Sequence, residues 1–515
     1  MMRAPMRRWP LIVCSLVALT HVAHADLTSR ALSAADEAGG SSAQNSLLTW
    51  AGTPKQTSLP DLLQVAVRSS PALQNAKLDI EIAEAQIQQT WARRDWVLRA
   101  QASGSWTQSG LVAGVTVGSS KRFAATLDIS RMFPTGGTIG LHAGSSYSKT
   151  TSTFGPSEYW SDDISLEITQ PLLRGRGRSL YDANEARARI ARDAAVLSRR
   201  LAALETIQTI VSAYWDLVLA QRQIAITESS LALARERLRI TEIGANGGKI
   251  APAEIPAVQQ IIATREEDVL GGELAVLDRS IALRRSVNMP IDAGDIGLRV
   301  ATELETQDKG WTLASLLQKA YAASPELATL AKQESGSTIE IEVTENGLLP
   351  QLDLALSFGP TGTDEKFGTA AANTFKFSEL AASGSLTLTQ SLHRDDVRGR
   401  VKELRLGREK LRVNALDIRA QIAQTLTRAV AQIELAKRRV VLSQKAIDLA
   451  NENIRIETDR FNLGKATNFD VLNRQEELRQ AELRKAQALI DWHKAETVVM
   501  TVTGDLLPAF GITVE

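Results

Sequence analysis

Apolar residues fall three or four apart along two stretches far longer than a globular core requires. From about Ser179 to Ile243 the series runs Ile190, Leu197, Leu201, Leu204, Ile207, Val211, Tyr214, Val218. From about Asp396 to Leu463 it runs Leu404, Leu411, Ile418, Ile422, Leu426, Val430, Ile433, Val440. No proline interrupts either stretch. This period predicts two α-helices, each roughly 100 Å long at 1.5 Å per residue. No single domain buries a rod of that length, so the helices pack side by side in coiled-coil fashion. A glycine-containing turn and a shorter helix follow each one, at about 252–288 and 468–503. The chain therefore holds two long antiparallel hairpins.

Elsewhere the period changes to two. Leu98, Ala100, Ala102, Gly104 and Trp106 alternate with Arg99, Gln101, Ser103 and Ser105. Ile164, Leu166 and Ile168 alternate with Ser165, Glu167 and Thr169, and Leu352, Leu354, Leu356 and Phe358 with Gln351, Asp353, Ala355 and Ser357. Leu386 and Leu388 alternate with Thr387 and Thr389. A membrane barrel needs one apolar and one polar face, and so does a half-buried strand in a soluble sheet. Two further pieces, Ala125-Leu127-Ile129 and Ile139-Leu141-Ala143, flank Pro134-Thr135-Gly136-Gly137 and predict an extra hairpin near 123–143. This hairpin leaves the strand count open at four or six per chain; the expectation is four wall strands, with the hairpin as an extracellular or peripheral addition.

The chain is written twice. Ser58-Leu59-Pro60-Asp61-Leu62-Leu63-Gln64, leading to Ser70-Pro71-Ala72-Leu73, recurs as Thr312-Leu313-Ala314-Ser315-Leu316-Leu317-Gln318, leading to Ser324-Pro325-Glu326-Leu327. Leu233-Ala234-Arg235-Glu236, leading to Gly248-Lys249, recurs as Leu449-Ala450-Asn451-Glu452, leading to Gly464-Lys465. The first repeat is expected over 57–305: helices 57–95, strands 97–170, hairpin 178–289. The second is expected over 306–507: helices 311–347, strands 351–390, hairpin 396–503, with a tail at 508–515. Such a plan points to a closed, elongated assembly rather than to an enzyme.

The N-terminus predicts export. Arg3, Arg7 and Arg8 precede the short apolar run Leu11 to Thr20, and Ala23-His24-Ala25 fits a cleavage site, giving a signal peptide at 1–25. Residues 26–56, rich in Ala, Ser, Gly and Thr, read as an extended arm or linker. The only cysteine, Cys14, lies in the leader, so the mature chain has no disulfide to form. The whole chain balances 59 basic against 59 acidic residues, and loss of three leader arginines leaves a slight acidic excess. That balance gives nucleic acid no purchase. No later stretch approaches the 18 apolar residues of a membrane helix, so a membrane-crossing form of this chain must be a β-barrel.

Three sets of residues now carry a resemblance: Ala213-Tyr214-Trp215-Asp216-Leu217; the strand-to-helix junction Thr169-Gln170-Pro171-Leu172 with its copy Thr389-Gln390-Ser391-Leu392; and Phe461-Asn462-Leu463-Gly464-Lys465-Ala466-Thr467-Asn468-Phe469-Asp470-Val471-Leu472. Over about Ser58 to Gly504 the chain resembles the outer membrane efflux proteins, the TolC-like channels of Gram-negative bacteria. The fold class this implies is mainly α with membrane β. Duplicated helical hairpins would form an α-barrel tunnel in the periplasm, and a homotrimer would share one β-barrel among outer-membrane lipid. One chain has too few strands to enclose a channel, which agrees with pooling. The resemblance further implies a passive conduit without cofactor, the exit duct of a tripartite efflux or type I export system. Its periplasmic tip would close as an iris and dock a periplasmic adaptor and an inner-membrane pump of the RND or ABC type.

At that tip the resemblance places the turns Gly247-Gly248-Lys249 and Gly464-Lys465 against the adaptor. It places Asp470 in a constricting carboxylate ring, where three such groups would attract cations. A second family aspartate is Asn473 here. Glu254 matches an acid that latches the closed tip, while the family's tyrosine and arginine partners fall on Phe461 and Ala466, which cannot make that latch. Apolar packing of Phe461 is the expected substitute. A second reading of Asp470 is a helix N-terminal acid, with Asn468 as the cap.

Other motifs point to no chemistry. Arg174-Gly175-Arg176-Gly177-Arg178 lacks the phosphate-loop spacing and reads as a barrel-to-helix linker. The mature histidines, His142, His393 and His493, show no metal spacing. Tyr214 and Trp215 read as packing between helices, and several strand-flanking aromatics as an interfacial belt. The alternative is a periplasmic adaptor (membrane fusion) protein, which also carries a helical hairpin, but only one.

Overall fold

The computed structural model describes residues 55–108, 111–112, 115–152, 155–291, 297–300 and 309–513. The expected signal peptide, and all of the expected arm except Lys55 and Gln56, lie outside the described residues.

The chain opens with β1 (Lys55–Gln56), α1 (Leu59–Ser69) and α2 (Pro71–Thr90). Ser58 caps α1 by accepting from the Asp61 N–H, and Pro71 sits in the first turn of α2, where its missing N–H costs nothing. A single 3₁₀ turn then leads into β2 (Val97–Gln108), β3 (Leu111–Val112), β4 (Val115–Met132), β5 (Thr138–Ser152) and β6 (Gly155–Pro171). The first hairpin is α3 (Arg178–Asn246) with α4 (Glu254–Val287), followed by β7 (Leu298–Arg299). The second half repeats the order: α5 (Leu313–Ala323), α6 (Pro325–Asn346), β8 (Gln351–Asp364), α7 (Phe367–Phe375), β9 (Glu379–Thr389), then α8 (Asp395–Asn462) with α9 (Asn468–Val502). A short α10 (Leu506–Ala509) closes the chain.

Two rods of 69 and 68 residues, α3 and α8, set the long dimension at roughly 100 Å. Each is flanked by three shorter helices stacked end to end. Beside α3, α4 abuts α1 and α2: Asn288 Nδ2 donates to the Ser69 carbonyl at 2.8 Å, and Ser69 Oγ donates to the Val287 carbonyl at 2.9 Å. Asn288 ends α4 in the left-handed region, which asparagine tolerates. Beside α8, α9 abuts α5 and α6: the Lys319 ammonium of α5 lies 2.6 Å from Asp505, just past the end of α9. One chain thus presents four helical columns. Their joint is the largest core, where Leu62, Leu63, Ile207, Ile210, Leu217, Leu283 and Leu506 are almost wholly buried. Each such side chain contributes about 1.5–3 kcal/mol. β1 pairs in parallel with β7 on its rim, so the last two residues of the expected arm are structured.

The strands form one antiparallel sheet in the order β2-β4-β5-β6-β8-β9, with β3 hydrogen-bonded to β4 alone. This corrects the expectation of a peripheral hairpin near 123–143. β2 pairs with β4 from Val97↔Ser130 to Gln108↔Ser119, and β5 pairs with β6 from Thr138↔Thr169 to Ser152↔Gly155. Short apolar runs at 125–129 and 139–143 concealed strands of 18 and 15 residues, whose outer parts are mostly Ser, Thr, Lys and Tyr. The register puts Leu98, Ala100, Leu127, Leu141, Leu166, Leu356 and Leu386 on one face and Arg99, Gln101, Asp128, His142, Glu167 and Ser357 on the other. The large apolar side chains of the first face are exposed, Leu98 at 64% and Leu388 at 66%. A row of aromatics crosses that face: Phe123 to Tyr147 at 6.4 Å, Tyr147 to Trp160 at 5.0 Å, and Trp160 to Phe367 of α7 at 5.1 Å. Tyr159, one residue off, belongs to the polar face. Ten residues separate Trp96 from Trp106, which at ~40° tilt spans roughly 25 Å, the height of an outer-membrane apolar band. Among the described residues no helix is long and apolar enough to cross a membrane.

Candidate functional site at the hairpin tip

The strand-to-helix junctions lie at one end of the rods and the Gly-Lys turns at the other. At the junctions, Pro171 closes β6 opposite Asp353, the Leu172 N–H donates to the Leu352 carbonyl at 2.7 Å, and Arg394 Nε reaches the Ser391 carbonyl at 3.4 Å. The linker glycines Gly175 and Gly177 take φ of +83° and +119°, which the reversal from strand to helix requires.

The two tip turns have the same geometry. Gly248 and Gly464 sit at φ +70° and +69°, and the next N–H, of Lys249 or Lys465, donates back to Gly244 or Arg460 at 2.8 Å. This is a Schellman closure, which ties off the last carbonyls of each long helix. Gly247, Gly248, Lys249, Gly464 and Lys465 are all exposed, and an added Cβ at Gly248 or Gly464 meets nothing within 4 Å.

Immediately inside the turns, the hairpins grip each other. Asn468 is 2% exposed; its side-chain amide donates to Glu254 Oε2 at 2.6 Å, and its N–H approaches the same oxygen at 3.4 Å. The Asn468 Oδ1 atom is buried without a hydrogen-bond partner. Phe461 on α8 receives the Arg237 guanidinium of α3 over its ring at 5.1 Å. Arg237 is 7% exposed, and that burial lowers its pKa from the usual arginine range. Phe461 therefore faces a buried cation, not the apolar partner expected. Below this, Leu231, Ala234, Val258, Ile262 and Leu472 form a small core spanning both hairpins.

Asp470 stands in a capping box. Its Oδ2 accepts from the Thr467 N–H and hydroxyl, each at 2.8 Å, while its own N–H donates to Thr467 Oγ1 at 3.3 Å. The cap of α9 is thus Thr467, which corrects the assignment to Asn468, because Asn468 is already the first helical residue and its amide serves Glu254. Hydrogen bonds from the Thr467 backbone and hydroxyl lower the Asp470 pKa, so the carboxylate is charged at neutral pH. Asn473, one turn on, is exposed and adds no charge. The structure brings Glu254, Phe461 and Asp470 into one tip, and it adds Arg237 and Asn468. Arg237 left a trace in the sequence, since a charged residue interrupts the buried stripe Leu231, Ala234, Thr241.

Tyr214 and Trp215 are buried far from the tip, and the Trp215 ring stacks on His493 at 4.2 Å and 7°. Among the described residues no group of three or more His, Cys, Asp or Glu is placed to hold a metal.

Paired helical hairpins set on an antiparallel sheet with one exposed apolar face define the class of tunnel-forming outer-membrane channels. The outer membrane efflux protein family model matches residues 62–289 and 316–505, and the chain belongs to that family. It is similar to Nodulation protein T of Rhizobium leguminosarum bv. trifolii, 22% identical over 371 residues that make up 67% of this chain and 72% of the relative. The outer-membrane channel OprN superposes with a TM-score of 0.64 at 16% identity, covering 87% of this chain and 90% of that one. The outer membrane protein VceC of Vibrio cholerae gives 0.64 at 14% identity, covering 87% and 96%. The protein is an outer-membrane efflux channel component whose helical part lies in the periplasm.

Proposed function

We propose that three copies close into a passive exit duct: one β-barrel in the outer membrane, one α-helical tunnel below it, and an iris at the hairpin tips. The observation that carries this reading is the exposed apolar surface of the single chain. Along α8 and its C-cap, Leu435, Leu442, Leu449, Ile456 and Leu463 recur every seven residues and are 45–71% exposed. A second stripe lies on the first hairpin, at Leu233, Ile240 and Ile243 of α3 and Leu270 and Leu274 of α4. A seven-residue apolar seam calls for a facing helix. Two different seams, one per half, support a head-to-tail contact, which closes into a ring when the rotation permits.

The iris reading rests on the tip. Opening requires the two hairpins to separate, which breaks the Glu254–Asn468 and Arg237–Phe461 contacts. Repeated around a threefold axis, Asp470 supplies a carboxylate ring, thinner in charge than one that also carries an acid at Asn473. The exposed turns Gly247-Gly248-Lys249 and Gly464-Lys465 are the surface offered to a periplasmic adaptor, with an RND or ABC pump behind it. The adaptor alternative gains no support from the family match.

The test is purified protein in a planar bilayer. A cation-selective pore, blocked by multivalent cations from the tip side and less so in Asp470→Ala, supports the reading. Absence of any pore from detergent-solubilised oligomer refutes it, and unchanged block in the variant removes Asp470 from the constriction.

A further inference from the structure

We infer that each chain contributes six strands to the barrel wall, so that a trimer is enclosed by eighteen. The partner that completes the wall is a second copy of this chain, joined β9 edge to β2 edge. The inference rests on the trimer reading above and goes beyond it in the strand count, the seam and the width of the pore.

Three observations carry it. First, β4 and β5 lie between β2 and β6, hydrogen-bonded on both sides over nearly their whole length. They cannot leave the wall without breaking two ladders. Second, the outermost strands, β2 and β9, have no partner on their outer edges among the described residues, over 12 and 11 residues. Such edges are sites of strand addition unless covered. Their faces agree: Gln101, Ser103 and Ser105 on β2 continue the polar face of Ser383, Ser385 and Thr387 on β9, and Leu98 and Ala100 continue the apolar face of Leu386 and Leu388. With six alternating strands the last runs opposite to the first, so β9 meets the next copy's β2 antiparallel, as the rest of the sheet demands.

Third, the girths match. Three copies supply twelve helical columns, which at 8–10 Å spacing run roughly 100–120 Å around. Eighteen strands at ~4.8 Å spacing and ~40° tilt run about 110 Å around, whereas twelve would reach only about 75 Å. The barrel then continues the tunnel without narrowing. Barrels of this strand number hold an open aqueous lumen. Arg99, Arg122, Asp128, His142, Asp163 and Glu167 on the polar face give that lumen charge of both signs, suited to hydrated cargo of either sign.

The absence of cysteine after Cys14 makes disulfide mapping direct. Full-length protein in outer membranes would carry Ser103→Cys with Ala124→Cys, or Ser146→Cys with Ser161→Cys. Both are directly opposed pairs in the register, within disulfide reach. Separately, cysteines at Gln101, Ser103 or Ser105 would be combined with cysteines at Ser383 or Ser385 to find the register of the seam. The expected result is closure of both intrachain pairs and, in at least one seam combination, a covalent ladder that ends at three chains. A ladder ending at three with neither intrachain pair closing puts 115–152 outside the wall; it overturns eighteen strands and leaves the trimer standing. A ladder ending at another number overturns the count and the trimer together, as does no ladder at all from protein that sediments as a monomer.

Discussion

Glu254→Ala removes the carboxylate that receives the side-chain amide of Asn468 at 2.6 Å. Asn468 is 2% exposed, so water does not replace the lost acceptor without the two hairpins parting. Hydrogen bonds to a charged acceptor contribute about 1.5–3 kcal/mol, and a buried donor left unpaired carries that cost in the closed state alone. The closed-to-open equilibrium should therefore shift toward open by roughly 10- to 150-fold. Glu254→Gln keeps an acceptor oxygen of similar reach and should fall between the two. The assay is open probability of purified channels in a planar bilayer at fixed voltage, read for wild type, Glu254→Ala, Asn468→Ala and the double variant. Coupling across that cycle is expected at more than ~1 kcal/mol, because the two residues share one bond. Additive effects within about 0.5 kcal/mol would show that the bond does not distinguish closed from open, and the latch assignment would fall.

Phe461→Leu leaves the buried Arg237 without its ring face, and should lower tip stability by about 0.5–2 kcal/mol, read as faster hydrogen exchange at the ends of α3 and α8. Gly464→Ala forces a Cβ into the left-handed region with no steric neighbour, so its cost is backbone strain alone, about 1–2 kcal/mol, measured by chemical denaturation beside the equivalent Gly248→Ala. Burial lowers the His493 pKa below its ordinary 6.5, with nearby Glu496 opposing the shift. The unfolded chain thus takes up this proton first: stability is full above pH 6.5 and is lost as pH falls from there through the folded pKa. His493→Gln should flatten that limb of a melting-temperature profile, and an unchanged slope would assign it to other groups.

The helical architecture was legible because its signal is long. Sixty or more residues of unbroken 3.6-residue period leave no competing reading, and the duplicated Gly-Lys turns mark where each rod reverses. The sheet was less legible. Strands that face lipid on one side and water on the other need apolar residues only within the membrane band, so the Ser- and Thr-rich ends of β4 and β5 gave no periodic signal. The helix α7 was missed because two turns of Ala, Gly and Thr between strands carry no period; it is held by Phe367 against Trp160 and by Thr374 Oγ1 donating to the Asp162 carbonyl at 3.2 Å. At the tip, Glu254, Phe461 and Asp470 could be singled out from their positions around the turns, but their partners could not. Arg237 lies more than 220 residues before Phe461 in the chain, and only packing of one half on the other brings them together. The cap illustrates a local ambiguity: Thr467 and Asn468 are both good N-cap residues, and the tertiary demand of Glu254 for the Asn468 amide decides between them.

In the proposed assembly, copies of this chain enclose one continuous duct. Electron microscopy of the detergent-solubilised protein tests it most directly. A closed duct would appear as a threefold particle, with a detergent-belted barrel at one end and a helical tunnel of roughly 100 Å tapering to a closed tip at the other. A monomeric particle, or protein that stays soluble with no detergent belt, would contradict it.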